Sequence, residues 1–500
     1  MNDASSTTQR KNLHHSIQKR IIIFLLSIVI ALIITWSSGY TTKNAYGNTL
    51  IILLLLLLAR KNHFSAIISS FFLVLCSLYA PIGILYGKIN EGFIASALQT
   101  DTEETLEFIQ LIPANYYFIS IGIFSLTVFF WKTSNKKNKN KIALFLFLIL
   151  LVNSWPKRMA TNLLTDTFNT ISNIKNYDKL LQKQHDNWQL LPGSHRYHTV
   201  VVVIGESVRK DYLSVYGYPL STTPWLNNTP GIFVDGYLSA AANTITSLSR
   251  SLISNYNEKG NIGNNIVSLA NKAGYHTWWI SNQGNIGQHD TLISVIGHNA
   301  NHPVFMKNGS FSSLNVDDEK LLPPIYDAIK SPNPKVIFVH MMGSHPNPCT
   351  RLFSYPNNYE GKFPSRISCY LATINKTDDF LRRINEFLTQ HEQSFAMIYF
   401  SDHGMSVDST KNRVQHDLKL RTSYEVPLII TANDITEHRL IKKPLSARNL
   451  LGIFGWLTGI RIRQISLIDP EKINTQEKIT VFNGEEDIDI NTLPTQEIVR

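Results

Sequence analysis

The chain is predicted to be an α/β protein preceded by a membrane domain, and three observations carry that prediction. Five apolar runs crowd into the stretch before Trp155. After Gly193, short β-branched runs alternate with segments of helical period. Several of these runs end in residues able to bind a metal or carry a proton, as open α/β sheets do at the C-terminal ends of their strands.

The membrane reading comes first along the chain. The runs are Ile21 to Trp36, Ala45 to Ala59, Phe64 to Tyr86, Tyr116 to Trp131 and Ile142 to Trp155. A helical crossing takes roughly 20 residues, so the second and fifth runs are short for one. A signal peptide accounts for the first run but not for the four that follow. Arg10, Lys11, Lys19, Arg20, Arg60, Lys61 and the lysines between Lys132 and Lys141 assign their segments to the cytoplasm. The loop from Gly87 to Asn115 carries Glu91, Asp101, Glu103, Glu104 and Glu107 instead. Five spans with a cytoplasmic N-terminus leave everything after Trp155 outside. The net charge of +10 is then largely a topology signal, and no nucleic acid need be invoked.

Three regions follow: residues 1–155 as the transmembrane domain, 156–195 as a connector, and 196–500 as the outward domain. In the connector, Leu163, Leu164, Phe168, Ile171 and Ile174 recur at helical spacing, which suits an amphipathic segment on the membrane surface. Pro192 and Gly193 break that pattern.

In the outward domain, Val200 to Ile204 is a β-branched run without polar alternation, the pattern of a strand covered on both faces. Gly205 ends it, and Glu206 and Ser207 follow. Ile266, Leu269 and Ala270 share a helical face; Tyr275 to Ile280 reads as a strand leading to Ser281, Asn282 and Gln283. Leu321 to Ile329 reads as a helix, and Val336 to Val339 as a strand leading to His340 and His345. A helix with Leu371, Ile374, Leu381, Ile384 and Leu388 on one face precedes the strand Phe395 to Phe400, which runs into Asp402 and His403. Val426 to Ile430 is a further strand. This alternation predicts a largely parallel sheet with helices on both sides.

Of three cysteines, Cys76 falls in an apolar run, while Cys349 and Cys369 lie in the outward domain. A disulfide and two unpaired thiols are both compatible with that placement. The chemistry therefore rests on oxygen and imidazole. Glu206, Asp402 and His403 make a ligand set suited to zinc and, less well, manganese. A fourth ligand is sought in residues 239–252 (SAAANTITSLSRSL), where a hydroxyl at a helix N-terminus meets a phosphate favourably.

Six motifs then carry a family resemblance: VIGESVR at 203–209, LSVYGYP at 213–219, TTP at 222–224, WISNQ at 279–283, HMMGSH at 340–345 and YFSDHG at 399–404. In this order they resemble the bacterial phosphoethanolamine transferases of the alkaline phosphatase and sulfatase superfamily. The resemblance covers nearly the whole chain, since that family also places five spans before a periplasmic catalytic domain. It looks closest to members that modify the lipopolysaccharide core.

The resemblance implies an alkaline phosphatase-like α/β domain in the periplasm of a bacterial inner-membrane protein. It implies zinc held by Glu206, Thr244, Asp402 and His403, with Thr244 the nucleophile that becomes phosphoethanolaminylated. His345 and His416 match histidines near the transferred phosphate. Thr100 and Glu104 match a segment that helps hold the lipid donor, phosphatidylethanolamine; Asn282 and Gln283 match the shared strand ending and are taken as substrate-binding. The acceptor implied is lipopolysaccharide, core or lipid A, or a related glycolipid. Ser96 stands where lipid A-modifying relatives often have Asn. Ala240 and Arg250 occupy the neighbourhood where those relatives carry cysteines, and Met405 replaces a common acidic residue. Residues 247–250 (SLSR) do not fit the formylglycine pattern, which disfavours sulfatase activity. Two other readings are a phosphoglycerol transferase of the lipoteichoic acid synthase type and a catalytically silent glycan-binding module of the envelope.

Overall fold

The computed structural model describes residues 3–39, 45–87, 105, 108–110, 112–134, 138–153, 164, 185–255, 261–284, 292–307, 316–473 and 478–500. It divides into two units, residues 1–90 with 108–168, and 91–107 with 169–500.

The first unit is helical: α1 (Asp3–Ser37), α2 (Ala45–Ala59), α3 (His63–Tyr86), α4 (Ala114–Thr133) and α5 (Lys141–Asn153), one for each apolar run. The helical form suits the longer apolar stretches, since a chain in hydrocarbon must satisfy its backbone within each segment. Asn62 starts α3 by accepting the amides of Phe64 and Ser65, as an N-cap does. Ile34, Leu56, Leu73, Cys76, Phe130 and Phe147 form the interior, while Phe71, Leu78, Phe118, Ile142 and Phe145 face outward. That inversion fits an apolar solvent. Ile17–Ser37, His63–Leu85 and Ala114–Thr133 are long and apolar enough to cross a membrane. Helix α2 has 15 residues and rises about 22 Å, short of the roughly 30 Å hydrocarbon core; α5 is shorter still.

The second unit is built on an eight-stranded sheet, ordered β10-β2-β9-β6-β1-β5-β3-β4. In chain order the strands are β1 (Thr199–Gly205), β2 (Gly231–Leu238), β3 (His276–Ser281), β4 (His302–Phe305), β5 (Lys335–His340), β6 (Phe395–Ser401), the hairpin β7 (Ser406–Asp408) and β8 (Arg413–Gln415), β9 (Leu428–Ala432), β10 (His438–Ser446), and a second hairpin β11 (Thr480–Phe482) and β12 (Asp487–Asp489). Strand β1 lies centrally between β6 and β5, parallel to both. Val200, Val202 and Ile204 enter one hydrophobic core and Val201 and Val203 the other. That two-sided burial is why the run shows no polar alternation.

The sheet is mixed, not wholly parallel. Strand β9 is antiparallel to both β2 and β6. The chain leaves β6 at Ser401 and returns through β7, β8 and irregular structure without a crossover helix, and parallel pairing needs such a crossover. The helices that bear on the site are α6 (Thr244–Leu252), α7 (Pro348–Leu352), α8 (Ser365–His391) and α9 (Leu450–Thr458). Cys349 on α7 and Cys369 on α8 are bridged, which decides between the two readings of those cysteines. Residues 185–195 pack on this unit: Trp188 is buried in its core and donates from Nε1 to Ser268 Oγ at 2.9 Å, and Leu190 bridges to Ile462. Most of residues 156–184, including Leu163, Phe168, Ile171 and Ile174, lies outside the described residues.

Candidate functional site

The register of three parallel strands assembles the site. Ile204 pairs with Phe400 on one side and His340 on the other, and Gly205 with Ser401. The residues that follow, Glu206 from β1 and Asp402 and His403 from β6, therefore emerge at one level beside His340. Gly205 is required by contact, since a Cβ there would sit 2.6 Å from the Tyr399 ring. Gly343 has φ +50, and a Cβ would meet the Glu206 backbone at 2.9 Å.

Ser207 takes a positive φ of 63, a conformation unusual for a residue with a side chain. In that turn its amide donates to Asp402 Oδ1 at 3.0 Å and its hydroxyl to Glu206 Oε1 at 2.5 Å. Ser207 thereby holds both carboxylates. The His403 ring completes the cluster, with Nε2 3.3 Å from Glu206 Oε1 and 3.4 Å from Asp402 Oδ2. Its Nδ1 lies 2.9 Å from Gly404 O; donation there leaves the Nε2 lone pair directed into the cluster.

Thr244 opens α6. Asn243 is the N-cap, accepting the Thr246 amide at 3.0 Å. The Thr244 hydroxyl donates to Glu206 Oε2 at 3.0 Å and lies 3.4 Å from His403 Nε2. Neighbouring hydroxyls are engaged elsewhere: Thr246 Oγ1 with Asn243, Ser247 Oγ with the Asp402 carbonyl at 2.6 Å, Ser249 Oγ with the Ile245 carbonyl at 2.6 Å and Ser251 Oγ with the Ser247 carbonyl at 2.8 Å. Thr244 is half-buried, whereas Glu206, Asp402 and His403 are buried.

Burial raises the carboxyl of Glu206, but its hydrogen bond and attraction to His403 outweigh this and hold it well below the usual range. Asp402 is pushed up to about 8 by burial and then by the charge of Glu206. Burial lowers His403, and Asp402 and Glu206 together overturn that to about 9. Two carboxylates in one dry pocket thus need a compensating cation or protons. A metal ion fits: one donor atom from each of Glu206, Asp402 and His403 lies within 4.8 Å of the others, and Asp402 Oδ2 is buried without a hydrogen-bond partner.

Two further histidines adjoin the cluster. The His416 ring lies 4.6 Å from that of His403 and 6.4 Å from that of His345. Burial, with His403 beside it, lowers His416 to about 4, and burial together with Arg351 lowers His345 well below its usual value. Arg351 Nη2, on α7, is 3.3 Å from His345 Nδ1. At the end of β3, the amide of buried Asn282 donates to Val316 O and Asp318 Oδ1 at 2.7 and 2.8 Å, and that of Gln283 to Met341 O at 2.9 Å. Thr100 and Glu104 lie outside the described residues.

Asp318, Arg351 and the bridging role of Ser207 are not legible in the sequence. Asp318 sits in an acidic stretch that reads as solvated, yet it accepts the amides of Met342 and Gly343 at 2.9 and 2.8 Å and so shapes the turn carrying His345.

The chain is similar to known proteins over most of its length. A family model described as Sulfatase matches residues 198–460. The phosphoethanolamine transferase OpgE of Escherichia coli is 32% identical over 427 residues, covering 79% of this chain and 80% of its own length. The C-terminal periplasmic domain of EptC from Escherichia coli, solved in complex with zinc, matches with TM-score 0.53 and 22% identity over 62% of this chain and 96% of that one. The lipooligosaccharide phosphoethanolamine transferase A of Neisseria meningitidis, an integral membrane protein, matches with TM-score 0.58 and 16% identity over 89% of this chain and 96% of that one.

Proposed function

We propose that this chain, which belongs to the phosphoethanolamine transferases of the sulfatase family, moves phosphoethanolamine from phosphatidylethanolamine to a glycolipid acceptor by way of a phosphothreonine at Thr244. The observation that carries this is the Thr244 hydroxyl set against Glu206 Oε2 and His403 Nε2 while its neighbours' hydroxyls are consumed. Glu206, Asp402 and His403, with Thr244, would hold a zinc ion, which when bound lowers the pKa of a coordinated hydroxyl and offsets phosphate charge.

In the first half-reaction Thr244 Oγ bonds to the donor phosphorus and the bond from phosphorus to the diacylglycerol oxygen breaks. The proton lost by Thr244 ends on that oxygen, releasing diacylglycerol. In the second, an acceptor oxygen bonds to phosphorus, the bond to Thr244 Oγ breaks, and the acceptor's proton returns to Thr244. His345 and His416, both neutral near pH 7, are assigned to carry the proton in each direction. Lipopolysaccharide, core or lipid A, is the acceptor class we favour, in keeping with the lipooligosaccharide acceptor named for the Neisseria meningitidis protein. The five apolar helices are read as spans in a bacterial inner membrane, N-terminus inside, with the catalytic unit in the periplasm.

The test uses the full chain with phosphatidylethanolamine and no acceptor. Diacylglycerol should be released to about one equivalent, and mass analysis should find a phosphoethanolamine adduct on the peptide containing Thr244. Thr244→Ala should abolish both. An adduct on Ser247 or Ser249, or normal turnover by Thr244→Ala, would overturn the assignment.

A further inference from the structure

The turn that presents Thr244 has one side-chain hydrogen bond of its own, from Ser239 Oγ to the Ala241 carbonyl at 2.8 Å. Ala240, Ala241 and Ala242 are fully buried and offer neither a polar side chain nor a large one. The rest of their fixation comes from outside the turn, and much of it from one place: the C-terminal stretch 478–500, beyond the residues the family model matches.

Phe482, at the end of β11, donates its amide to Ala240 O at 2.9 Å and forms a parallel bridge with Ala241. The guanidinium of Arg250, in the last turn of α6, lies over the Phe482 ring with Cζ 3.8 Å from its centroid. Arg250 Nη1 also donates to the Thr246 carbonyl at 3.0 Å. One residue therefore meets the turn before Thr244 through its backbone and the helix after it through its ring. Behind it, Val481 and Ile490 pack with Leu238, Ala242 and Tyr424, and the Tyr424 carbonyl accepts the Ser239 amide at 2.8 Å. Farther along, Gln496 Oε1 accepts the Val407 amide at 2.8 Å and Arg209 Nη1 at 2.9 Å. The arm thus grips the strand after Asp402 and His403 as well as the nucleophile turn.

We propose that this arm positions the nucleophile, the Phe482 backbone pairing with the Ala240–Ala242 turn and the Phe482 ring holding Arg250 and with it α6, so that Thr244 Oγ faces Glu206 and His403. Phe482 and Arg250 touch no reacting atom and act through the direction in which Thr244 is presented. A displacement of about 1 Å in a reacting group costs on the order of a hundredfold in rate, so a turn built of alanines needs such a brace. The inference rests on Thr244 being the nucleophile.

The experiment compares the full-length zinc-loaded protein with Phe482→Ala, Phe482→Tyr and Arg250→Ala, reading kcat and KM for diacylglycerol release, zinc content, and hydrogen exchange of peptides within residues 239–252. Phe482→Ala keeps the amide that donates to Ala240 but removes the ring that holds Arg250; it should lower kcat about threefold or more, leave KM for phosphatidylethanolamine and zinc content unchanged, and speed exchange in 239–252. Phe482→Tyr keeps the ring and should restore kcat. Arg250→Ala should lower kcat by about threefold, in keeping with the loss of a partly exposed cation–π contact, and add little on top of Phe482→Ala. A Phe482→Ala protein with kcat within twofold of wild type, or with unchanged exchange in 239–252, overturns the proposal. If wild type releases no diacylglycerol the transferase reading falls, and the exchange arm still tests the brace.

Discussion

Strands β5, β1 and β6 bury charge at both ends, and the two ends are built on opposite rules. At the N-terminal end, Lys335 is buried with its Nζ 2.5 Å from Glu392 Oε1 and 2.9 Å from the Ile329 carbonyl. The other Glu392 oxygen meets His198 Nδ1 at 3.3 Å, and the Phe395 amide meets Asn433 Oδ1 at 2.9 Å. A neutral hydroxyl, Thr199 Oγ1, goes without a partner there, which costs much less than an unpaired charge. At the C-terminal end, Asp402 Oδ2, His340 Nε2 and His416 Nδ1 are all buried without hydrogen-bond partners, and two carboxylates share one histidine. A closed ionic cluster needs nothing further and serves the fold. An open one stores unfavourable electrostatics that a ligand relieves, and serves function.

The largest effect expected from this contrast is at the open end. Asp402→Asn should lose bound zinc and lower kcat on the order of a thousandfold. It should also leave the metal-free protein at least as stable as wild type, because it deletes a buried carboxylate facing Glu206. Metal content, kcat and Tm measured on one preparation check this; a large fall in Tm without metal would mean that Asp402 is structural.

Lys335→Ala is the matching cut at the closed end. It leaves the half-buried Glu392 with His198 Nδ1 as its remaining side-chain contact, and breaking one partner of a buried pair costs up to about 3–5 kcal/mol. Thermal unfolding should show the loss, while kcat per folded molecule stays near wild type. A selective fall in kcat would show that the two ends are coupled.

How much of this contrast is legible in the sequence depends on what each feature needs. The run Val200 to Ile204 and the residues after Ile204 and Phe400 are readable because burial on both faces erases polar alternation and the strand end follows at once. Strand direction is not: β9 is marked by its apolar run, but only the short return from β6 makes it antiparallel. Strand β10 (HRLIKKPLS) mixes charges, a register shift and Pro444, so it reads as loop, although sheet edges tolerate such residues. Thr244 is one of five hydroxyl residues in α6, and no periodicity separates it from Thr246 or Ser247. Sequence resemblance singles it out, and the other four hydroxyls hydrogen-bond away from Glu206 and His403. The brace from Phe482 spans more than 230 residues and leaves no local pattern.

A smaller effect is expected where the fold supports the open end from the side. The Cys349–Cys369 bridge spans a sequence separation of 20 and ties α7, which carries Arg351 against His345, to α8. Replacing both cysteines by serine should cost about 3 kcal/mol at most, with kcat falling by severalfold as Arg351 loosens. Reduced Tm with unchanged kcat would assign the bridge to stability alone.

The smallest effect sharpens the comparison by taking a carboxylate buried as Asp402 is but satisfied as Glu392 is. Asp378 accepts the Trp225 amide on Oδ2 at 2.9 Å and the Leu226 amide on Oδ1 at 3.1 Å, yet burial still raises it to about 6, against about 8 for Asp402. Backbone donors thus hold the ionised form at a lower cost than a second carboxylate allows. Because the folded value lies above the unfolded 3.8, the folded protein keeps the proton more tightly. The stability this group contributes is complete below pH 4 and is lost as pH rises through 6, by on the order of 3 kcal/mol or less. Asp378→Asn removes that titration, so the Tm of wild type minus that of the variant should fall between pH 4 and pH 7. If the difference stays flat, backbone donation compensates burial fully, and what separates Asp378 from Asp402 is the neighbouring charge of Glu206 alone.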